Sequence, residues 1–291
     1  MRVTSSWAFR VLWVLLPVVA GPTLADGVDP RSAAVRLVAS VALWAGWAAA
    51  LVVSLVPSTV SLTALRTVAP LAPLATGWAV ATAPGAAGPA DALALLATTA
   101  AAVVAMAPGL GDQFVDGSSY GPERRFALRV PAPVVLGPLE LTWALAVAGP
   151  LAGPLLLASG QWAAGAAVLV VGAPATWWAG RSLHALSRRW LVFVPGGVVL
   201  HDPLTVTESV LVPRARIAAL GPAAADSTAY DLTQRAAGLA LEVTLTEPLA
   251  VSLYTPRSRT PRTEAVGALL FTPTRPAHVL AAAEERHLPV G

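Results

Sequence analysis

The feature that most constrains this chain is a series of apolar stretches, each about as long as a bilayer is thick, filling its first 180 positions. A membrane-spanning helix needs about 20 mostly apolar residues. Candidates fall at 7–25, 34–56, 60–83, 90–108, 133–158 and 161–180. The breaks between them carry turn chemistry: Asp26-Gly27-Val28-Asp29-Pro30, Pro57-Ser58-Thr59, Pro84 to Pro89, and Ser159-Gly160-Gln161. The expected architecture is therefore a membrane α-helical bundle of about six transmembrane helices over residues 1–185.

Composition agrees. Only 12% of residues are charged and 56% are hydrophobic, whereas a soluble domain carries about 25% charged residues. Intrinsic disorder, an ordinary soluble enzyme and a nucleic-acid binder are all excluded on this ground. The pI of about 10.1 is misleading. All 19 cations are Arg, the net charge is only +3, and the Ala, Gly, Pro and Arg excess reads as a coding bias. No partner follows from it. The absence of Cys removes disulfide frameworks and thiolate metal sites.

Arginine placement sets the expected orientation. With the N-terminus in the cytoplasm, the inner segments collect Arg2, Arg10, Arg124, Arg125, Arg129, Arg181, Arg188 and Arg189. The outer loops hold Arg31 and Arg36 against Asp26, Asp29 and Asp91. Six spans return the chain to the cytoplasm, so both termini are expected there, in a multi-pass protein of a bacterial inner membrane. The first span also fits a cleavable secretory signal: Arg2 and Arg10, the apolar run from Val11 to Val19, then Thr23-Leu24-Ala25.

Two ionisable residues lie inside expected spans. Arg66 and Glu140 each fall six or seven residues from the cytoplasmic start of an outward-running span. An unpaired charge at mid-membrane costs up to about 3 kcal/mol. Pairing Arg66 with Glu140 would relieve that cost and pin span three to span five; the alternative is that each reaches the headgroup region separately. Pro70, Pro73, Pro150, Pro154 and Pro174 also lie within spans. Such breaks can expose carbonyls to a cargo, although proline is simply more frequent in membrane helices.

The one long polar connection, 109–132, carries Asp112, Asp116, Tyr120, Glu123, Arg124, Arg125 and Arg129. It reads as a loop without secondary structure. Phe114, Tyr120, Phe126 and Leu128 would be wasted in a purely solvated segment, so the loop is expected to dock, most simply on the C-terminal domain. Its candidate interaction residues are Asp112, Tyr120, Arg124, Arg125 and Arg129. Two carboxylates, Asp112 and Asp116, are a weak metal signal.

Beyond residue 185 the hydrophobic period falls to two. Strands are expected at 190–194, 198–201, 209–213, 217–220, 239–246, 249–253 and 265–272, with a helix at 277–287. Seven short strands and a C-terminal helix resemble the pleckstrin-homology-like (PH-like) domain of many bacterial membrane proteins. The likeness covers 186–288 and rests on Arg188-Arg189-Trp190, on Val212 to Ile217, and on Leu270-Phe271-Thr272-Pro273 before the last helix. In that family the helix plugs one end of a bent sheet, and loops at the other end bind lipids, peptides or proteins. The first hairpin, Val194 to Val198, lacks the basic residues of phosphoinositide-binding members. The resemblance would instead gather Arg214, Arg216, Arg257, Arg259 and Arg262 around one mouth, where they could hold an anionic lipid headgroup or an acidic partner segment.

No catalytic constellation accompanies these features. The four His, at 184, 201, 278 and 287, have no partner at metal-ligand spacing, and phosphate-loop, zinc-protease and nucleophile-elbow patterns are absent. His201-Asp202 reads as a turn pair. The sequence therefore points to a non-enzymatic membrane protein with no cofactor and no metal. Its work would be scaffolding or regulation through the C-terminal domain, with membrane lipids, a protein partner or its own copies as partners and no nucleic acid. The alternative is a small-molecule or lipid transporter using the Pro-broken helices and the Arg66–Glu140 pair; a membrane enzyme acting on lipids through the loop carboxylates is weaker still.

Overall fold

A computed structural model describes residues 5–254 and 262–291. The chain divides into two compact units, one of 1–114 with 140–183 and one of 115–139 with 184–291. The loop assigned by sequence to the membrane half therefore contributes 115–139 to the second unit.

The first unit is helical. Four of its helices are long and apolar enough to cross a membrane: α3 (Ala33–Leu55), α6 (Pro89–Met106), α9 (Pro138–Ala158) and α10 (Trp162–Ser187). A fifth candidate is a pair, α1 (Ser5–Val19) and α2 (Gly21–Val28), bent by 46°. The expected third span is interrupted as well, into α4 (Thr59–Val68) and α5 (Leu71–Thr82). Against about six expected spans, four helices among the described residues, or five with the bent pair counted as one, are long and apolar enough to cross. Pro70 cannot donate an intrahelical hydrogen bond and sits at the α4–α5 break, while Thr59, Ser61, Thr63, Arg66 and Thr67 make α4 too polar to read as one continuous apolar run with α5. By contrast Pro150, Pro154 and Pro174 are accommodated inside intact helices.

Packing in this unit uses small residues. Ala79, Ala94, Thr98, Ala101 and Ala105 are fully buried where α5 and α6 meet their neighbours, and Phe9, Trp13, Leu62 and Leu65 fill the remaining space. Large side chains such as Val18, Leu37, Leu96, Val170 and Trp177 point outward. Small residues inside and large apolar residues outside suit helices solvated by lipid. At Gly149 and Gly172, α9 and α10 approach so closely that a Cβ built on Gly172 would lie 2.9 Å from the Gly149 Cα.

Freed backbone groups are re-satisfied by side chains, as an apolar surround demands. Trp143 Nε1 of α9 donates to Thr67 O at the α4–α5 break (2.9 Å). The Arg10 guanidinium donates to Ser54 O in the last turn of α3. Trp13 and Trp47 each donate to the other's carbonyl at 2.9 Å.

The second unit is β-rich. Its first sheet has the order β1 (Arg124–Ala127), β2 (Trp190–Val194), β3 (Gly197–His201) and β4 (Val210–Pro213), antiparallel throughout. A short 3-10 turn at Arg214–Arg216 leads into β5 (Ile217–Pro222). The second sheet runs β5, β7 (Leu241–Leu253), β8 (Arg262–Phe271) and β6 (Tyr230–Asp231). Helix α11 (Pro276–Glu285) closes the core with Val279, Ala282 and Ala283. Alternation places Phe126, Leu191, Phe193, Val198 and Leu200 of the first sheet against Leu220, Leu241, Val243, Leu269 and Phe271 of the second.

Three expectations change here. The segment 109–132 is not structureless: it holds most of α7 (Pro108–Asp116) and all of β1, and its end enters the short helix α8 (Ala132–Val135). The strands expected at 239–246 and 249–253 are one strand, β7, with a register shift between Thr244 and Leu249. Glu247-Pro248 makes a bulge and not a turn, because proline is tolerated where the ladder is already interrupted. An additional short strand, β6, pairs in parallel with β8.

Candidate functional site

The loop strand β1 is anchored by a buried ion pair. Arg189 Nε and Nη2 donate to Asp202 Oδ1 and Oδ2 at 2.8 and 2.7 Å, and both side chains are only 1% exposed. Arg189 Nη1 donates to Arg129 O, the Leu128 amide to Arg189 O, and the Arg129 amide to Thr272 O. Asp202 also accepts from the Leu204 amide (3.1 Å). Phe126 and Leu128, expected to dock, are core residues of this unit. Tyr120, grouped with them, is 85% exposed and docks on nothing within its unit.

Asp116 organises the rest of the loop. Its Oδ1 accepts from the Ser119 hydroxyl (2.9 Å) and the Arg125 amide (2.8 Å), and its Oδ2 lies 3.6 Å from Arg124 Nε. The Arg125 guanidinium lies over Trp190, 5.6 Å from the ring centroid, and reaches Glu123 at 3.3 Å. Trp190 in turn stacks on His201 with centroids 4.6 Å apart. His201 Nδ1 is 2.8 Å from Ser209 Oγ. Burial, with Arg188 and then Arg125 nearby and only Asp202 opposing, holds the imidazole below its ordinary value.

Of the five arginines expected around one mouth, the three described ones, Arg214, Arg216 and Arg262, are spread along the second unit. Arg257 and Arg259 lie outside the described residues. Arg214 joins the β2–β3 turn, its amide donating to Gly196 O (2.9 Å). Arg216 sits level with Thr246 and lies 3.8 Å from Glu247. Arg262 stands opposite Leu253, seven residues further along β7, a separation of up to roughly 23 Å at about 3.3 Å per residue. It pairs with Glu264 at 2.8 Å. Leu253 is itself bridged to Val206 in the β3–β4 connection, at the opposite end of β3 from the Arg214 turn.

Arg214 has a different companion. Together with Arg286 it lines a cavity of about 300 Å³ whose other walls are Pro122, Val194, Pro195, Gly197 and Leu288. Arg214 Nη2 donates to His287 O (3.0 Å), and Arg286 Nη2 donates to Pro122 O (2.6 Å). The Arg286 guanidinium also lies over Phe193 at 5.6 Å. Among the described residues neither arginine has a carboxylate within ion-pairing distance. In sequence, Arg286 is simply a cation at the end of a helix; only the fold brings it to the hairpin.

In the first unit Arg66, expected beside Glu140, lies against the end of α6. Arg66 Nε points to Ala105 O in the last turn of α6 (3.5 Å), its guanidinium lies against Gly111, and Asp112 is the carboxylate whose charge acts on it. Glu140 belongs to the first turn of α9. Among the described residues no cluster of three metal-ligating side chains occurs. Comparison with protein-family models, with curated proteins and with solved structures finds no match to this chain.

Proposed function

We propose that the chain is a non-enzymatic integral membrane protein that scaffolds or regulates a partner through its second unit. The observation that carries this reading is the way that unit is assembled. Residues 115–139 and 184–291 fold together, with α9 and α10 as an excursion between them. Strand β1 pairs with β2 across the excursion, and the Arg189–Asp202 pair holds the carbonyl of Arg129 just beyond it. The β-rich unit is joined to the apolar helices at three points along the chain, after residues 114, 139 and 183. That arrangement suits recognition.

The PH-like reading is supported by the two sheets, antiparallel except for the short β6, and by the C-terminal helix that closes their core. An inner-membrane placement with both termini cytoplasmic is supported by Arg10 and Arg66, which serve the C-terminal turns of α3 and α6. Arginine at helix C-termini also suits the helix dipole. The contact of Arg66 with a helix end favours this reading over the transport alternative.

Native mass spectrometry of the full chain released from mild detergent tests the proposal. A discrete homo-oligomer or a co-purifying protein is the expected result. A bare monomer under conditions that preserve known weak membrane complexes would overturn it.

A further inference from the structure

We infer that the cavity between Arg214 and Arg286 binds a phosphate monoester, with the phosphate between the two guanidinium groups and its organic part against Val194, Pro195 and Leu288. The inference rests on reading the second unit as a recognition module and names one ligand for it.

Charge comes first. Two arginines converge on a single cavity, and no carboxylate neutralises either among the described residues. A phosphate monoester carries a charge of about −1.5 to −2 at neutral pH and offers three strong acceptor oxygens. It can therefore match both cations at once, whereas a carboxylate occupies a single guanidinium fork.

Preorganisation comes second. A surface arginine normally samples many rotamers, and fixing it on binding costs side-chain entropy. Here that cost is already met. Arg214 is held by His287 O and, through its own amide, by Gly196 O; Arg286 is held by Pro122 O and lies over the buried Phe193 ring. Each of these side-chain bonds uses one of five guanidinium N–H donors, so others remain for a ligand. Shape comes third. The cavity's remaining walls are mostly apolar, which accommodates the carbon skeleton of an ester and favours it over the free anion.

The phosphate could be a lipid headgroup or part of a soluble metabolite, and the test separates these sources. The full chain in neutral detergent and phosphate-free buffer is titrated calorimetrically with inorganic phosphate, glycerol 3-phosphate and short-chain phosphatidic acid, at constant ionic strength. Saturable binding of glycerol 3-phosphate assigns a soluble source; binding of phosphatidic acid alone assigns a lipid. In either case Arg214→Gln and Arg286→Gln should each weaken binding by about tenfold or more, while Arg262→Gln should not. Absence of saturable binding by all three compounds up to millimolar concentration overturns the inference.

Because both arginines also bond backbone carbonyls, a second measurement uses the unaltered protein. Phenylglyoxal labelling followed by peptide mass spectrometry should show Arg214 and Arg286 shielded by the bound phosphate compound, with Arg216 and Arg262 unaffected. Equal labelling with and without ligand would sink the site. A protein that is monomeric in native mass spectrometry yet passes these tests ends the scaffold reading alone; an oligomer that fails them ends this inference alone.

Discussion

Replacing Asp202 with alanine would leave the Arg189 guanidinium buried at 1% exposure with only the Arg129 carbonyl as a partner. The change removes two charge-assisted bonds of 2.8 and 2.7 Å and the acceptor of the Leu204 amide. Removing one partner of a buried pair costs about 3–5 kcal/mol, chiefly because the other charge stays uncompensated in a poorly solvating interior. A domain's whole stability is about 5–15 kcal/mol, so roughly a fifth or more of it is at stake. For a unit of about 130 residues the loss corresponds to a drop of roughly 10–20 °C in melting temperature.

The assay is hydrogen–deuterium exchange on the full chain in detergent, reading peptides from β1, β2 and β3. At about 1.4 kcal/mol per tenfold, exchange through opening of the unit should accelerate from about 100-fold to a few thousand-fold. The paired replacement Arg189→Met with Asp202→Leu should recover most of the loss, because a well-packed apolar pair removes the desolvation penalty altogether. Protection within tenfold of the unaltered protein in Asp202→Ala would refute the reasoning. So would a double variant no better protected than the single.

Other expectations follow from single contacts. Trp143→Phe keeps the aromatic packing but leaves Thr67 O without its indole donor; a loss of about 1 kcal/mol should appear as a fall of roughly 2–4 °C in the thermal melt of the first unit. Gly197→Ala places a Cβ 2.1 Å from Val212 O at a φ of +150°, so the β2–β3 hairpin should lose about 1–3 kcal/mol, read as faster exchange in β2 and β3. His201 has a lowered imidazole pKa, so below its ordinary value near 6.5 the unfolded chain binds more protons than the folded one. Stability of the second unit is therefore full above about pH 6.5 and falls as pH drops through the lowered folded value; denaturant melts at pH 7.5 and at 5.0 should differ less in His201→Gln. Arg66→Ala removes the cation from the end of α6 and should lower the yield of folded protein, whereas Glu140→Ala should leave that helix end unchanged, as limited proteolysis would show.

What the amino-acid order disclosed is what depends on neighbours along the chain. Apolar runs marked α3, α6, α9 and α10, and period-two alternation marked β2, β3 and β8, because each signal is complete within one element. Strand β1 gave no such signal: Arg124-Arg125-Phe126-Ala127 is too short and too charged, and becomes a strand only because β2 supplies its ladder. The bulge at Glu247-Pro248 was equally hidden, since a proline reads as a turn until a partner strand shows that the chain continues past it.

The arginines make the same point about function. Counting residues from a membrane edge places Arg66 and Glu140 at equal depth only where the helices are straight and continuous. Pro70 ends α4 only four residues after Arg66, and the side chain is then used where helix ends leave carbonyls without partners. Arg189 reads as the entry to a strand and Asp202 as a turn residue, yet nothing local says that a turn carboxylate will be buried against a cation 13 positions earlier. Arg214 and Arg286 are farther apart still and meet only after two sheets and a helix have closed. A cation's role here is decided by which carbonyl or carboxylate the fold brings to it, and that is a property of tertiary structure which charge counting along the chain cannot supply.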